Sequence, residues 1–200
     1  MQKLQSQFYL ILFILLLPAL SEGQTCNGSL GEPVVNITFG AGYASASPLL
    51  NNITTYNYSS SPCPDDGFYN IAPQCLGCFG NTWHSVAEDH TPGDINGNMM
   101  LINASFTAGD FYKETVKGLC AGTTYEFAAW MLNILRQSSC GGKGIDPNIT
   151  FSIENSSGTV LKTYTTGDIP ETGSPEWKQF GFYFVADADE VVSRMTNNAV

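Results

Sequence analysis

The sequence predicts an all-β fold, an antiparallel jelly-roll β-sandwich, from its composition and from short apolar segments separated by turn residues. Of 200 residues only 13% are charged, whereas 20 are glycine and 12% are aromatic. This balance favours short strands joined by turns over solvated helices, so helical bundles and coiled coils are excluded. The net charge of -10 also argues against nucleic acid as a partner, since phosphate contacts need basic surfaces.

Residues 1–21 have the pattern of a signal peptide. Lys3 precedes an apolar run from Phe8 to Leu17, and Pro18 leads into the small-residue pattern Ala19-Leu20-Ser21. The alternative, a membrane anchor, is weaker because the run has about half the twenty residues that a span needs. We therefore expect a secreted protein, extracellular or at the cell surface, with no membrane insertion after signal cleavage.

Residues 22–61 are expected to form a leading strand, at 34–39, and loops, and residues 62–200 the jelly-roll module. Within the module, Pro, Asp, Gly and Cys concentrate at 62–98, which predicts a looped region with one short strand at 68–71. Further strands are predicted in segments of apolar and β-branched residues at 99–104, 123–132, 148–153, 160–165, 178–185 and 190–195.

The segment 123–132 contains the clearest alternation. On a strand, successive side chains point to opposite faces. One face would carry Tyr125, Phe127, Ala129 and Met131, and the other would carry Glu126, Ala128, Trp130 and Leu132.

Six cysteines follow the predicted signal peptide, and an oxidising compartment makes disulfides the expected state. Cys120 and Cys140 flank one predicted strand and could close a loop, while Cys63 could pair with Cys75 or Cys78. Cys26 would then lack a partner in this chain. Cys75 and Cys78 with His84 and His90 could also be drawn as a zinc or redox site, but a disulfide is favoured in a secreted protein.

Loop 84–98 is rich in oxygen ligands and predicts a structural calcium ion. Carboxylate and amide oxygens in a glycine-containing loop suit this hard cation. No glutamate follows at the EF-hand position, where Ser105 stands, and an ordinary Asx-turn loop is the alternative. The candidate ligands are Asp89, Asp94, Asn96 and Asn98.

Aromatic planes beside polar side chains indicate a carbohydrate-binding face, because sugars present C–H patches to rings and hydroxyls to the rim. The candidate ligand-binding residues are Trp130, Trp83, Asn133, Glu126 and Tyr112. The alternative is that the tryptophans are core residues, which is favoured for Trp177. No catalytic residue is predicted: Asp65 and Asp66 are adjacent and would point apart, and no hydrolase motif is present.

The order of motifs resembles the amino-terminal β-sandwich module of large Bacteroidetes surface proteins whose far ends carry gliding-motility-associated or sorting domains. It is more distantly similar to galactose-binding-like carbohydrate-binding modules and MAM domains. The resemblance covers about residues 60–198. The motifs are Cys-Pro-Asp-Asp-Gly-Phe-Tyr at 63–69, Trp-His at 83–84, Glu-Asp-His-Thr-Pro at 88–92, Asn-Gly-Asn-Met-Met at 96–100, Gly-Leu-Cys at 118–120, Thr-Tyr-Glu-Phe-Ala-Ala-Trp at 124–130 and Glu-Trp-Lys-Gln-Phe at 176–180.

The resemblance implies that Trp130 lies on a concave, ligand-holding sheet face and that Asp89 organises a loop or binds calcium. Such modules continue with a final strand after the segment at 195–198, so the resemblance implies that this chain lacks its last strand and belongs to a longer protein with other domains.

Together these observations predict a non-catalytic, secreted or cell-surface module that binds a glycan or polysaccharide or mediates adhesion, with calcium as its structural ion. The first alternative is a structural spacer of a large adhesin without a ligand, and the second is a glycan-active hydrolase domain.

Overall fold

The computed structural model describes residues 33–198, which form nine strands and two short 3₁₀ turns at Cys78–Asn81 and Ser139–Gly141. No α-helix occurs in this part of the chain. The strands are β1 Asn57–Tyr58, β2 Phe68–Ala72, β3 Met99–Asn103, β4 Gly109–Lys117, β5 Thr124–Met131, β6 Asn148–Glu154, β7 Val160–Asp168, β8 Lys178–Val185 and β9 Glu190–Asn197.

The strands pair into three sheets. One has four strands in the order β4-β9-β6-β7, a second pairs β5 with β8, and a third has the order β1-β2-β3. All pairs are antiparallel except β1 with β2, which share two residue pairs in parallel. The predicted all-β sandwich is confirmed.

The main core is aromatic and lies between the sheets. Phe127 of β5 packs against Phe151 of β6 and Phe182 of β8, with ring centroids 5.5 and 5.9 Å away. Phe151 has no exposed surface. Each fully buried side chain of this size stabilises the fold by about 1.5–3 kcal/mol relative to an exposed one, so this face of β5 is held firmly inward.

A smaller satellite core lies beneath the loops at 62–98. It consists of Ala72, Cys75, Cys78, Trp83, Val86, Met99 and Leu101. Two isolated bridges, Cys75 with Val86 and Trp83 with Leu135, connect these loops to one another and to the segment after β5. The satellite core therefore fixes the loops at the end of the sandwich where β5 ends.

Most strand predictions match the structure, and two are corrected. Residues 34–39 form no strand, and only an isolated bridge between Ala41 and Gly97 follows them. Strand β4 was not predicted. A β-bulge between Asp110 and Tyr112 shifts its register, so the neighbouring side chains of Phe111 and Tyr112 are both buried. The alternation of buried and exposed residues that indicates a strand is therefore broken at this point. The predicted signal peptide lies outside the described residues, and the missing last strand stays a prediction.

The structure decides part of the cysteine pattern. Cys63 bonds to Cys78, one of the two predicted partners, and Cys75 is free and buried. Cys120 is disulfide-bonded, but Cys140 is free and exposed, so the expected bond between them is wrong. Cys140 lies in the 3₁₀ turn Ser139–Gly141, and its carbonyl oxygen accepts a hydrogen bond from Lys143 N over 3.3 Å. Cys26 lies outside the described residues.

Candidate functional site

The outward face of the β5–β8 sheet carries two exposed aromatic side chains. Trp130 is 45% exposed and Tyr183 is 65% exposed. Trp130 pairs with Gln179 across the sheet and Tyr183 pairs with Glu126. These two cross-strand pairs are four residues apart on each strand, so they lie about 14 Å from each other along the sheet. The alternation predicted for 123–132 is confirmed at these positions, since Phe127 and its neighbours on the other face pack into the core.

Between the two aromatic side chains the sheet has a flat floor made by the cross-strand pair Ala128 and Gly181. A Cβ added at Gly181 would lie 2.7 Å from the carbonyl oxygen of Phe127 and 2.8 Å from Cβ of Ala128. The strands therefore approach too closely here for a larger residue. The resulting surface is apolar at its centre, with an exposed carboxylate and an exposed amide, Glu126 and Gln179, at its rim.

A histidine from a distant loop joins the aromatic face. The ring of His90 lies 3.9 Å from that of Trp130 and 6.1 Å from that of Trp177, measured between centroids. Trp177 is half-buried and packs against the satellite core, as predicted for that residue. Loop 84–98 thus reaches the end of the β5–β8 face through His90.

Three predicted ligand-binding residues lie elsewhere. Trp83 is 7% exposed because its indole packs in the satellite core against Phe79. Tyr112 is buried beside Phe39, and its hydroxyl donates to Glu114 Oε2 over 3.0 Å. Asn133 is buried too. These three side chains support the fold and do not share the exposed face of Trp130 and Glu126.

Burial also affects His84, the second histidine of the possible zinc site. His84 is buried, and its Nε2 lies 3.1 Å from the carbonyl oxygen of Thr172. Desolvation lowers the pKa of His84 below its ordinary value, which outweighs the opposing effect of that carbonyl. His84 is therefore a hydrogen-bonded core residue.

Two predicted calcium ligands converge. A Cβ at Gly97 would collide with carboxylate oxygens of both Asp89 and Asp94, so the two side chains close over the backbone there. Thr91 donates a hydrogen bond to Asp89. Desolvation, and then the charge of Asp89, raise the pKa of Asp94 above its ordinary value. The repulsion between two like charges held this close favours protonation of one of them, which is the direction of the shift at Asp94.

The other two predicted ligands connect this loop to the segment at 39–42. The backbone carbonyl of Asn96 accepts from Gly42 N over 2.9 Å, and Asn98 Nδ2 donates to the carbonyl of Phe39 over 3.0 Å. The buried oxygen Asn98 Oδ1 has no hydrogen-bond partner among residues 33–198.

A second acidic pair, not predicted, lies where β5, β6 and β7 meet their loops. Asn133 Nδ2 donates to Asp146 Oδ1 over 3.1 Å and to the carbonyl oxygen of Ile169, and Asn133 Oδ1 accepts from Leu135 N. Burial raises the pKa of Asp146, and the neighbouring carboxyl of Glu171 raises it further. Oxygen Oε1 of Glu171 is buried without a hydrogen-bond partner in the described chain.

Sequence reasoning missed Tyr183, Gln179 and His90 as members of the aromatic face. The alternation within 178–185 places Gln179, Gly181 and Tyr183 on one side, and that signal was available. The approach of His90 depends on a loop separated from β5 by two strands, and no local pattern reveals it.

The described residues contain no cluster of three or more histidine, cysteine, aspartate or glutamate side chains arranged to hold a metal ion. Within 33–198 no helix has the length and apolar character needed to cross a membrane.

No family model matches the chain, and no curated protein matches it either. Among solved structures, the chain is similar to an arabinose-bound MgGH51 α-L-arabinofuranosidase, at 14% identity and a TM-score of 0.31. The match covers 78% of this chain and 28% of that chain.

Proposed function

We propose that this protein is a secreted, non-catalytic module that binds a carbohydrate on the outward face of the β5–β8 sheet. The observation that carries the proposal is the pair of exposed rings, Trp130 and Tyr183, on either side of the flat floor at Ala128 and Gly181. A ring stacks on the C–H face of a sugar, and the carboxylate of Glu126 and the amide of Gln179 suit hydroxyls at the rim.

Calcium is proposed as the structural ion of loop 84–98. The carboxylate oxygens that converge over Gly97 fit a hard cation, so Asp89 and Asp94 would hold it. The ion would neutralise their mutual repulsion. Because His90 follows Asp89 and touches Trp130, ordering this loop would also order one end of the aromatic face.

The proposal is tested by affinity electrophoresis of the folded, oxidised protein in gels containing soluble polysaccharides, with calcium or with chelator. We expect at least one polysaccharide to retard migration. The Trp130→Ala substitution is expected to weaken that binding by about 2 kcal/mol, which is roughly thirtyfold in Kd, because a large stacking ring is lost. Tyr183→Ala is expected to weaken it less, since this ring lies farther from the His90 contact.

The matched control is Tyr43→Ala, which removes a 90% exposed aromatic side chain outside the β5–β8 face. Its retardation should equal that of the parent protein. No retardation by any polysaccharide, from a folded sample, would favour the structural spacer. Degradation of the polysaccharide would favour the hydrolase.

A further inference from the structure

Three sulfur atoms meet in the satellite core. Cys63 and Cys78 are bonded, and the free thiol of Cys75 donates to Cys78 Sγ across 3.2 Å. Cys75 and Cys78 are buried, whereas Cys63 is half-buried near the surface. A free thiol in direct contact with a disulfide sulfur is the arrangement from which thiol–disulfide exchange proceeds.

We propose that this disulfide exchanges within the folded protein, so that a Cys75–Cys78 bond replaces Cys63–Cys78 and Cys63 becomes a modifiable thiol. The Cys75 thiolate attacks Cys78 Sγ, the bond to Cys63 breaks, and Cys63 leaves as a thiolate that takes up the proton lost by Cys75. One disulfide and one thiol are present before and after, so the step needs no oxidant or reductant.

The surroundings of Cys75 explain why the Cys63–Cys78 disulfide persists. They also show which covalent link the exchange would release. The backbone of Cys75 is held by two hydrogen bonds to Val86, of 2.8 and 2.9 Å, so its sulfur stays beside Cys78. Burial raises the pKa of the Cys75 thiol to about 11, which keeps the attacking thiolate scarce at neutral pH. Exchange would leave the 3₁₀ turn at Cys78–Asn81 bonded to Cys75 and would release its covalent link to the segment around Cys63.

The experiment is trapping with iodoacetamide on the folded, oxidised protein at a series of pH values, followed by acid quenching and peptide mapping without reduction. Cys140, free and exposed, is labelled directly and serves as the internal standard. The expected second product carries the label on Cys63 together with a Cys75–Cys78 bond. Its rate should rise about tenfold per pH unit from pH 7 towards pH 10, following the Cys75 thiolate.

Two variants separate exchange from general unfolding. Cys75→Ala removes the attacking thiol and should abolish labelling of Cys63 while Cys140 still reacts. Cys63→Ala, treated with oxidised glutathione as the two-electron oxidant, should form a Cys75–Cys78 bond and keep the circular dichroism of the parent. Cys63 that stays unlabelled at pH 10 while Cys140 reacts completely would overturn the proposal. So would a label on Cys78 with a Cys63–Cys75 bond, or labelling of Cys63 that is unchanged in Cys75→Ala.

Discussion

The molecule contains two acidic pairs that differ in how they are built. Asp89 and Asp94 belong to one loop and close over Gly97, with a threonine hydroxyl as a local donor. Asp146 and Glu171 come from the loops before β6 and after β7, and the buried side chain of Asn133 attaches one of them to the core. The first pair is therefore supported by its own loop, whereas the second depends on the meeting of two loops, the β5–β6 and the β7–β8 connections.

If the proposed calcium ion is held at the first pair, this difference separates a ligand-dependent site from a structural one. Asn133 uses its side chain to satisfy the carboxylate of Asp146, a carbonyl oxygen and a backbone N–H, so Asp146 is anchored by the protein itself, whereas Glu171 Oε1 stays without a hydrogen-bond partner among the described residues. The first pair has no comparable amide donor among the described contacts, and its repulsion is relieved by a cation or a proton. We expect the two pairs to respond differently to mutation, calcium and pH.

The largest expected effect is that of Asn133→Ala, compared with Asn98→Ala. The first removes three hydrogen bonds at a buried position, and the second removes one bond together with an unsatisfied oxygen. We expect a loss of about 3 kcal/mol for Asn133→Ala and at most about 1 kcal/mol for Asn98→Ala. Urea unfolding in the presence of chelator measures both free energies of unfolding.

Equal losses of unfolding free energy in Asn133→Ala and Asn98→Ala would show that the pair Asp146 and Glu171 is no better anchored than the pair Asp89 and Asp94. An exposed alanine substitution such as Gln137→Ala, whose side chain lies outside both pairs, provides the baseline.

The next effect is that of calcium on thermal stability. A ligand that binds only the folded state stabilises it. For the dissociation constants of 10⁻⁴–10⁻³ M that are typical of extracellular calcium modules, 10 mM calcium would contribute about 1.4–2.7 kcal/mol. We expect Asp89→Asn to abolish the increase in Tm and Asp146→Asn to leave it unchanged, as measured by differential scanning calorimetry against chelator.

A Tm that is the same in calcium and in chelator would exclude calcium from the first pair. If Asp146→Asn alone abolished the calcium-dependent increase in Tm, the ion would be assigned to Asp146 and Glu171 instead of Asp89 and Asp94.

The contrast between the pairs also shows what could be predicted from the sequence. The loop pair is visible because Asp89, Asp94 and Gly97 are close in sequence, and period-two alternation revealed both faces of β5. The second pair is invisible because Asp146 and Glu171 are 25 residues apart and lie on two different loops. Likewise, no local pattern indicates that Arg194 of β9 forms ion pairs with Asp110 of β4 and Glu154 of β6.

Errors among the aromatic residues have the same origin. Trp83 and Trp130 were both predicted as ligand-binding aromatic residues, and their sequence did not separate them. Trp83 is buried because the loops at 62–98 fold around it, and Trp130 is exposed because it alternates with core residues on β5. On a strand, the alternation of side chains was enough to predict which of them are exposed. On a loop, only the three-dimensional contacts show whether a side chain such as Trp83 is buried.

The smallest expected effect is the pH dependence of Asp146→Asn. Because the folded state raises the pKa of Asp146 above its ordinary value of 3.8, the folded protein binds this proton more tightly than the unfolded chain. The charged form therefore destabilises the fold at neutral pH, and this penalty fades as the pH falls through the raised pKa towards 3.8.

The amide introduced by Asp146→Asn would lack that charge and could still accept the hydrogen bond from Asn133, so the substitution should raise Tm at pH 7 by about 1–3 °C after solvent screening. The gain should disappear as the pH falls below 3.8, where Asp146 becomes protonated in the unfolded chain as well as in the folded state. Asp66→Asn, at an exposed position, serves as the control for general charge removal. A Tm that falls at pH 7 would mean that the carboxylate itself is needed, as it would be if the second pair held a cation of its own.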